Sequence, residues 1–292
     1  MAQKAWDGTT YGSGRMHRWL IWLLGWMDVR ILYWFSNIFV IPVCVFFRPG
    51  GGIIYRYFRQ RHHFGRWKSA WKTYVNHCKF SQVVIDRFAM YAGKRFKVEI
   101  QGYDEFLKLT ERSDGFVQLS AHVGNYELAG YSLKSERKKM YALVFFGEKE
   151  SVMHNRHKMF DDNNICMIPV SGDMTHLFKL DSALSDGQIV SMPADRFSGS
   201  EKSVTLSFLG CEAPFPMGPF SVATMRGLDV LAVNVMKTAT KRYTIYVKPL
   251  SYVKEAPRKE QIRQLASAYV AELEHIVRKY PEQWYNYYEF WK

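Results

Sequence analysis

Residues 116–127 read FVQLSAHVGNYE, the most informative segment of the chain. It starts as a largely apolar run of strand length, continues through a turn that contains a glycine, and ends where a helix can begin. A strand that ends at Leu119 delivers His122 on a loop at the edge of a sheet, with Asn125 as the cap of the helix and Glu127 in its first turn. The pattern therefore predicts a strand, a sharp turn and a helix, with an imidazole at the turn.

His122 and Glu127 are the candidate catalytic pair. A carboxylate in the first helical turn can reach back toward the imidazole, fix its tautomer and stabilise the imidazolium that forms on protonation. Helix caps and ordinary core hydrogen bonds account for most such pairs near a turn, so the motif needs support from the rest of the chain. With that support, the pair indicates a base that takes a proton from a hydroxyl.

Beyond residue 97, apolar segments of strand length alternate with helical patterns. This alternation predicts an α/β fold with a mainly parallel sheet flanked by helices, and with functional sites at the carboxyl ends of the strands. The predicted strands are 98–100, 116–119, 141–146, 165–170, 189–192, 230–235 and 243–247, and the predicted helices are 126–137, 151–163, 174–184 and 220–226.

The C-terminal region combines a helix with an aromatic tail. Apolar residues recur at helical spacing from Ile262 to Val277, and Pro281 ends the pattern. Residues 284–291 read WYNYYEFW, a tail that can cover a groove, contact lipid or fill the core. We find no linker rich in Pro, Gly or Ser, which favours one domain over two. Along the chain we distinguish an N-terminal membrane-associating, basic helical region (1–95) from an α/β core with its C-terminal helix and tail (96–292).

The charge of the chain indicates a polyanionic partner. Its 292 residues include 40 Lys and Arg against 27 Asp and Glu, a net charge of +13. Such a charge favours nucleic acid, anionic lipid headgroups or phosphorylated substrates. Aromatic residues make up 16% of the chain, and several of the 9 Trp lie beside basic residues near the N-terminus, as in a membrane-interface belt. We therefore favour lipid over nucleic acid, for which the chain has no reading motif.

The cysteines give no sign of a metal site or a disulfide framework. Cys44, Cys78, Cys166 and Cys211 are widely separated, with no CxxC pair and no ligand spacing to a histidine. They fit a reducing compartment, and we expect neither a metal nor a cofactor.

The N-terminal region contains the most apolar part of the chain. Residues 19–27 and 31–47 carry no charge and are separated by Asp28 and Arg30. The second run is at the lower end of the length that spans a bilayer, and Pro42 would kink or end a helix there. The sequence is therefore compatible with a transmembrane helix, a monotopic membrane anchor or a buried core helix. The basic residues just beyond the run can reach lipid phosphates and place the rest of the chain in the cytoplasm if the run spans. These residues are Arg48, Arg56, Arg59, Arg61, Arg66, Lys68 and Lys72.

Three further places can carry chemistry. Asn155 and Arg156 follow the predicted strand 141–146, and the planar guanidinium could pair with an anionic substrate or remain solvated. Asp195 and Arg196 follow the strand 189–192 and could form an ordinary loop ion pair or a phosphate clamp. Gly218 lies in the turn FPMGPF before a helix, whose free amides could face an anion or an acyl carbonyl, although a plain turn explains it equally.

Together these motifs resemble the lipid A late acyltransferase family, the lauroyl and myristoyl transferases of the lysophospholipid acyltransferase superfamily. Their order and spacing along most of the chain carry the resemblance, together with the apolar, basic-flanked N-terminus. The matching motifs are HVGNYE (122–127), Asn155-Arg156, Asp195-Arg196, FLG (208–210) and FPMGPF (215–220).

The resemblance implies a membrane-associated acyltransferase that moves a fatty acyl group from an acyl thioester to a hydroxyl of a lipid acceptor such as a lipid A precursor. The implied donor is acyl carrier protein or CoA, and the implied location is the cytoplasmic face of the inner membrane. By resemblance, His122 is the base and Glu127 its orienting acid. The residues implied in substrate binding are Gly124, Asn125, Asn155, Arg156, Asp195, Arg196 and Gly218.

Other features are similar to a side branch of that family, associated with aryl polyene or flexirubin lipids. They are WDG at 6–8, the Asp86-Arg87 pair and the aromatic tail. Two alternatives follow. The acceptor could be an aryl polyene, flexirubin-type or amino-acid lipid, or the protein could bind membrane lipid without catalysis.

Overall fold

The computed structural model describes residues 13–47, 50–144, 156, 163–170, 173, 175–197 and 202–291. Within these residues the chain forms helices at its N-terminus, then an alternation of strands and helices, and a long helix before the tail. The strands are β1 (Lys97–Gln101), β2 (Phe116–Ser120), β3 (Met140–Val144), β4 (Ile165–Pro169), β5 (Ile189–Pro193), β6 (Ser203–Phe208), β7 (Cys211–Pro216), β8 (Asp229–Ala239) and β9 (Arg242–Leu250).

The helices lie at the N-terminus, between the strands and at the C-terminus. They are α1 (Gly14–Trp26), α2 (Val29–Phe35), a π-helical segment (Ser36–Val40), α3 (Ile41–Phe47), α4 (Gly50–Gln60), α5 (Arg66–Tyr91), α6 (Tyr103–Glu111), α7 (Glu127–Ser132), α8 (Thr175–Ser185), α9 (Met217–Thr224), α10 (Arg258–Lys279) and a 3₁₀ turn (Pro281–Gln283).

A seven-stranded sheet forms the centre of the fold, in the order β1-β9-β8-β2-β5-β3-β4. Its neighbouring strands pair in parallel, except β8 and β9, which are antiparallel. Strand β2 lies between β8 and β5, and side chains on both of its faces are buried, which explains its apolar composition. Because Ser120 of β2 is in register with Pro193 of β5, the loops that follow these two strands leave the sheet side by side.

Two hydrophobic clusters cover the two faces of the sheet. One contains apolar residues of α4, α9, α10 and the C-terminal tail, and the other contains residues of α5, α6 and α7. Trp284 and Phe290 of the tail are buried in the first cluster. Of the roles open to the tail, the structure therefore shows core filling for these two rings.

The N-terminal helices pack on α5 but leave much of their apolar surface exposed. Val29–Phe47 is long and apolar enough to cross a membrane by length and composition, with 22% of it buried against the rest of the protein. Pro42 does not end this helix. The π-helical turn directly before it changes the backbone hydrogen-bond spacing, so the helix continues past a residue that lacks an N–H donor.

The α/β fold class and the mainly parallel sheet are confirmed, with differences in detail. The helix expected over 126–137 ends at Ser132, and the antiparallel hairpin of β6 and β7 was not expected. Strand β3 is described as far as Val144, and residues 145–146 of the expected strand lie outside the described residues. The same holds for most of the expected helix 151–163, of which the structure describes Arg156 and Asn163.

Candidate active site

His122 and Asp195 meet where the loops after β2 and β5 leave the sheet. The Nδ1–H of His122 donates to Oδ1 of Asp195 at 2.7 Å, and the backbone N–H of His122 donates to Oδ2 at 2.9 Å. The Asp195 side chain is 1% exposed, whereas that of His122 is 19% exposed. Because one carboxylate holds both the ring and its peptide, it fixes the imidazole tautomer with Nε2 as the proton acceptor.

Burial and the nearby Arg196 favour a neutral His122 ring. Burial and then the nearby Arg196 lower the pKa of His122 below its ordinary value, and Asp195 opposes this shift only in part. Burial raises the pKa of Asp195, but the interactions with His122, which include two hydrogen bonds, and the charge of Arg196 hold it below its ordinary value. The arrangement is thus a neutral imidazole beside an ionised carboxylate, which is the starting state for general base catalysis.

Gly124 is required by the shape of the loop between β2 and α7, residues 121–126, which we call the His122 loop. Its φ is +50°, a left-handed conformation, and a Cβ built on it would lie 1.8 Å from the carbonyl oxygen of Val235. The next residue, Asn125, donates its backbone N–H to the same oxygen at 2.9 Å. The loop after β2 therefore packs against the backbone of β8 at a distance that only glycine permits.

The C-terminal tail holds the other side of the loop. The backbone N–H of Tyr285 donates to the carbonyl of His122 at 3.1 Å, and the N–H of Gly124 donates to the carbonyl of Gln283 at 2.8 Å. Arg196 donates from Nη2 to the carbonyl of Tyr285 at 2.6 Å. The residues next to His122 are thus fixed by a segment about 160 positions further along the chain.

Glu127 lies in a buried cluster of cations. It forms ion pairs with Arg156 and with Arg87, whose Nε is 3.2 Å from Oε1, and it accepts a hydrogen bond from the hydroxyl of Tyr91 at 3.3 Å. Burial raises the pKa of Glu127, but Arg156 and Arg87 hold it below the ordinary value of a glutamate. An ionised Glu127 is therefore the counter-charge that two guanidiniums share, and without it both would be buried with no carboxylate partner in this cluster.

Two predictions about this loop were wrong. The carboxylate on the imidazole is Asp195 and not Glu127, because the parallel pairing of β2 with β5 brings residue 195 to the ring, while the side chain of Glu127 turns to the arginines. Asn125 does not cap α7 with its side chain. Tyr126 is the cap residue without a side-chain hydrogen bond, and Asn125 contributes only its backbone carbonyl, which accepts from Leu128 at 3.0 Å.

A protein-family model matches the part of the chain that contains the candidate site. Residues 89–292 match the family model described as bacterial lipid A biosynthesis acyltransferase, which covers more than half of the chain and includes the His122 loop and the tail. The chain belongs to this family. The protein is therefore an acyltransferase.

The other comparisons add less. Comparison with curated proteins gives no match. Among solved structures, the 1-acyl-sn-glycerophosphate acyltransferase PlsC from Thermotoga maritima is similar at 14% sequence identity and a TM-score of 0.38, covering 92% of this chain and 99% of that chain.

In this member of the acyltransferase family, the site residues expected from sequence fall into three groups. The first group lies together through the contacts above and contains His122, Gly124, Asn125, Asp195 and Arg196. In the second group, Arg156 joins Glu127 beside them. Gly218 is exposed at the start of α9, and no hydrogen bond or ion pair among the described residues connects it with His122. Asn155 lies outside the described residues.

Sequence reasoning missed the partners that come from distant segments. Arg87 and Tyr91 reach Glu127 from the last turns of α5, and Gln283 and Tyr285 reach the His122 loop from the tail. In the sequence, Asp86-Arg87 and the aromatic tail were noted only for their similarity to a side branch of the family. Neither has a local pattern that indicates a contact with residues 122–127.

Proposed function

We propose that this acyltransferase moves a fatty acyl group from an acyl thioester to a hydroxyl of a lipid acceptor, with His122 as the general base. The proposed donor is acyl carrier protein or CoA, the proposed acceptor is a lipid such as a lipid A precursor, and the proposed location is the cytoplasmic face of the inner membrane. One observation carries the proposal: the hydrogen bond of 2.7 Å between His122 and Asp195, at the carboxyl edge of the sheet in a chain of this family.

The proposed reaction is a direct transfer. Nε2 of His122 takes the proton of the acceptor hydroxyl while the hydroxyl oxygen attacks the thioester carbonyl carbon. Asp195 stabilises the imidazolium that forms. As the new C–O bond forms, the C–S bond breaks, and the imidazolium returns its proton to the departing sulfur, so that ester and thiol are the products. This sequence needs no covalent acyl-enzyme.

The cations near His122 suit a substrate that carries phosphate. Three arginines (Arg87, Arg156 and Arg196) lie beside two carboxylates (Glu127 and Asp195) and a neutral imidazole, so the group carries an excess of one positive charge. The phosphopantetheine arm of a thioester donor and the headgroup of an anionic lipid both carry phosphate, which guanidinium groups bind through paired N–H donors. We propose that these arginines orient one of the two substrates.

Asn125 is a second proposed substrate contact. Its side chain is buried, and neither Oδ1 nor Nδ2 has a hydrogen-bond partner among the described residues. A buried amide without a partner costs free energy, so a ligand group that bonds to it is favoured. A hydroxyl of the acceptor or a carbonyl of the donor has the right chemistry.

The exposed aromatic surface near the N-terminus supports membrane contact. A core helix would be mostly buried, whereas the apolar helix Val29–Phe47 is mostly exposed. Trp19, Trp22 and Trp26 of α1 and Trp67 and Trp71 of α5 are exposed as well. Indole rings are the side chains that proteins place at a lipid–water boundary.

Reconstituted protein tests the function. Full-length protein in phospholipid vesicles is supplied with a labelled acyl group on acyl carrier protein or on CoA, together with total lipid from a strain that lacks the gene, and the labelled lipid is identified by mass spectrometry. We expect one lipid species to gain one acyl chain, and we expect the same chain to be missing from that lipid in the deletion strain. Vesicles that bind the protein while the thioester stays intact would contradict catalysis, and a labelled aryl polyene or amino-acid lipid would change the acceptor.

A further inference from the structure

A buried ion pair joins the N-terminal helices to the central sheet. Asp86 of α5 pairs with Lys237 of β8, and both side chains are almost completely buried. Asp86 also accepts hydrogen bonds from the hydroxyls of Tyr33, on α2, and Tyr243, on β9, and Lys237 donates to the hydroxyl of Tyr33 at 3.0 Å. The cluster therefore depends on side chains from four elements, one of which belongs to the apolar helix Val29–Phe47.

This cluster is connected to the His122 loop through Gln283. The backbone N–H of Lys237 donates to Oε1 of Gln283 at 2.8 Å, and Nε2 of Gln283 donates to the carbonyl of Lys237 at 2.9 Å. The carbonyl of Gln283 then accepts the N–H of Gly124 at 2.8 Å. Two residues before Lys237, the carbonyl of Val235 accepts the N–H of Asn125. The end of β8 thus fixes two consecutive peptides directly after Val123.

A second connection runs through the residue next to Asp86. Arg87 forms the ion pair with Glu127, and its charge is also among those that lower the pKa of His122, after burial and Arg196. Any rotation of α5 that moves Asp86 away from Lys237 also moves Arg87 relative to Glu127. The two connections therefore lead from the same turn of α5 to the His122 loop and to Glu127, the first residue of the helix that follows this loop.

We propose that Asp86 and Lys237 are positioning residues for the His122 loop, and that the Tyr33 hydroxyl completes their arrangement only when α2 is docked on α5. A buried charge pair keeps its geometry when its hydrogen bonds are satisfied, and loss of one donor allows water or another rotamer to enter. Docking of the apolar helix, which the proposed function puts in contact with lipid, then sets the geometry of the base. The kinetic part of this inference rests on the proposed acyl transfer, and the structural part does not.

The test compares two substitutions that each remove one hydroxyl. Tyr33→Phe removes the donor to Oδ1 of Asp86 and leaves Tyr243 and Lys237 as donors to Oδ2. Tyr74→Phe removes one hydrogen bond of α5, from its hydroxyl to the backbone carbonyl of Asn37 in the π-helical segment at 2.9 Å, and leaves the Tyr33 hydroxyl and its cluster in place. Full-length wild-type protein and both variants are studied in the same phospholipid vesicles, by acyl-transfer kinetics and by amide hydrogen exchange of the peptide that contains Gly124 and Asn125.

We expect Tyr33→Phe to lower kcat about tenfold with little change in KM, because a misplaced base slows the chemical step without removing a substrate contact. We expect exchange of the Gly124 and Asn125 amides to become faster in this variant, and we expect Tyr74→Phe to leave both kcat and this exchange close to wild type. Equal kcat values for the two variants, or exchange that Tyr33→Phe leaves unchanged, would overturn the inference. If wild-type protein transfers no acyl group, the proposed function fails, and the exchange comparison alone decides whether the cluster positions the loop.

Discussion

Replacement of Asp195 by Asn gives the sharpest prediction for the candidate site. The two oxygens of Asp195 accept from two donors, the ring Nδ1–H and the backbone N–H of His122. An amide has one oxygen, so it can satisfy only one of them. If it keeps the backbone contact, its NH₂ group faces Nδ1, and the tautomer that places the proton on Nε2 becomes favoured. In that tautomer Nε2 already carries a proton, so it cannot take the proton of the lipid hydroxyl.

The size of the effect follows from the lost hydrogen bond. A hydrogen bond to a charged group contributes about 1.5–3 kcal/mol, which corresponds to a rate loss of about 10- to 150-fold if it forms fully in the transition state. The change of tautomer adds to this loss, up to the ~10⁴-fold that a general base supplies. We therefore expect kcat/KM of Asp195→Asn to fall on the order of a hundredfold or more.

The pH profile of kcat/KM gives a second, independent readout. Acyl transfer needs neutral His122, so the rate falls as the pH drops through the pKa of His122, which lies below the ordinary value of histidine. Asp195 raises that pKa and Arg196 lowers it. The acidic limb should consequently move to lower pH in Asp195→Asn and to higher pH in Arg196→Gln.

Initial rates of acyl transfer from pH 4.5 to 8.5, with thermal unfolding to show that each variant is folded, measure both effects. A kcat/KM of Asp195→Asn within about threefold of wild type, with an unmoved acidic limb, would refute the assignment of Asp195 to the imidazole. Limbs that move in the same direction in both variants would refute the electrostatic argument.

The remaining predictions concern the loop, the buried cluster and the surface. Gly124→Ala should lower the free energy of unfolding by about 3 kcal/mol or more, because its Cβ would lie too close to the carbonyl oxygen of Val235. Gly218→Ala is the control: its Cβ would meet open space, so denaturant unfolding should stay nearly unchanged. Glu127→Gln should destabilise the fold by about 3–5 kcal/mol in urea unfolding, and its residual activity should keep the acidic limb of wild type. Replacement of Trp22 and Trp26 by Ser should weaken binding to vesicles about tenfold or more in a sedimentation assay, and unchanged binding would remove these rings from the membrane surface.

The parts of the fold that follow from local sequence were predicted well. Three local features were enough to predict the mainly parallel sheet and the position of His122 at its edge: the apolar run 116–119, the turn with a glycine after it, and the alternation of strands and helices beyond. Burial of both faces of a strand and the residues of a turn both leave a local pattern in the sequence. The partner of His122 was not predicted. Asp195 is 73 residues away, and only the register of β2 with β5 brings it to the ring, whereas Glu127 lies five residues from His122 and was favoured by proximity in sequence.

The contacts of the tail show the same limit. Trp284 and its neighbours read as a simple aromatic run, and nothing in that pattern shows that the backbone of Gln283 and Tyr285 holds the His122 loop. Backbone hydrogen bonds between distant segments carry no side-chain signature, so sequence composition cannot reveal them. The Asp86–Lys237 pair is a similar case, because two charged residues in apolar surroundings become partners only after α5 packs on the end of β8.

Transfer of a labelled acyl group by matched histidine variants tests the role of His122 most directly. Purified wild-type protein, His122→Ala and His275→Ala are compared in a single turnover, the last because His275 is an exposed histidine on α10. We expect His122→Ala to lose on the order of a hundredfold or more in the rate of acyl transfer while still binding vesicles and unfolding cooperatively, and His275→Ala to react like wild type. Transfer by His122→Ala at a rate close to wild type would contradict the assignment of this imidazole as the base.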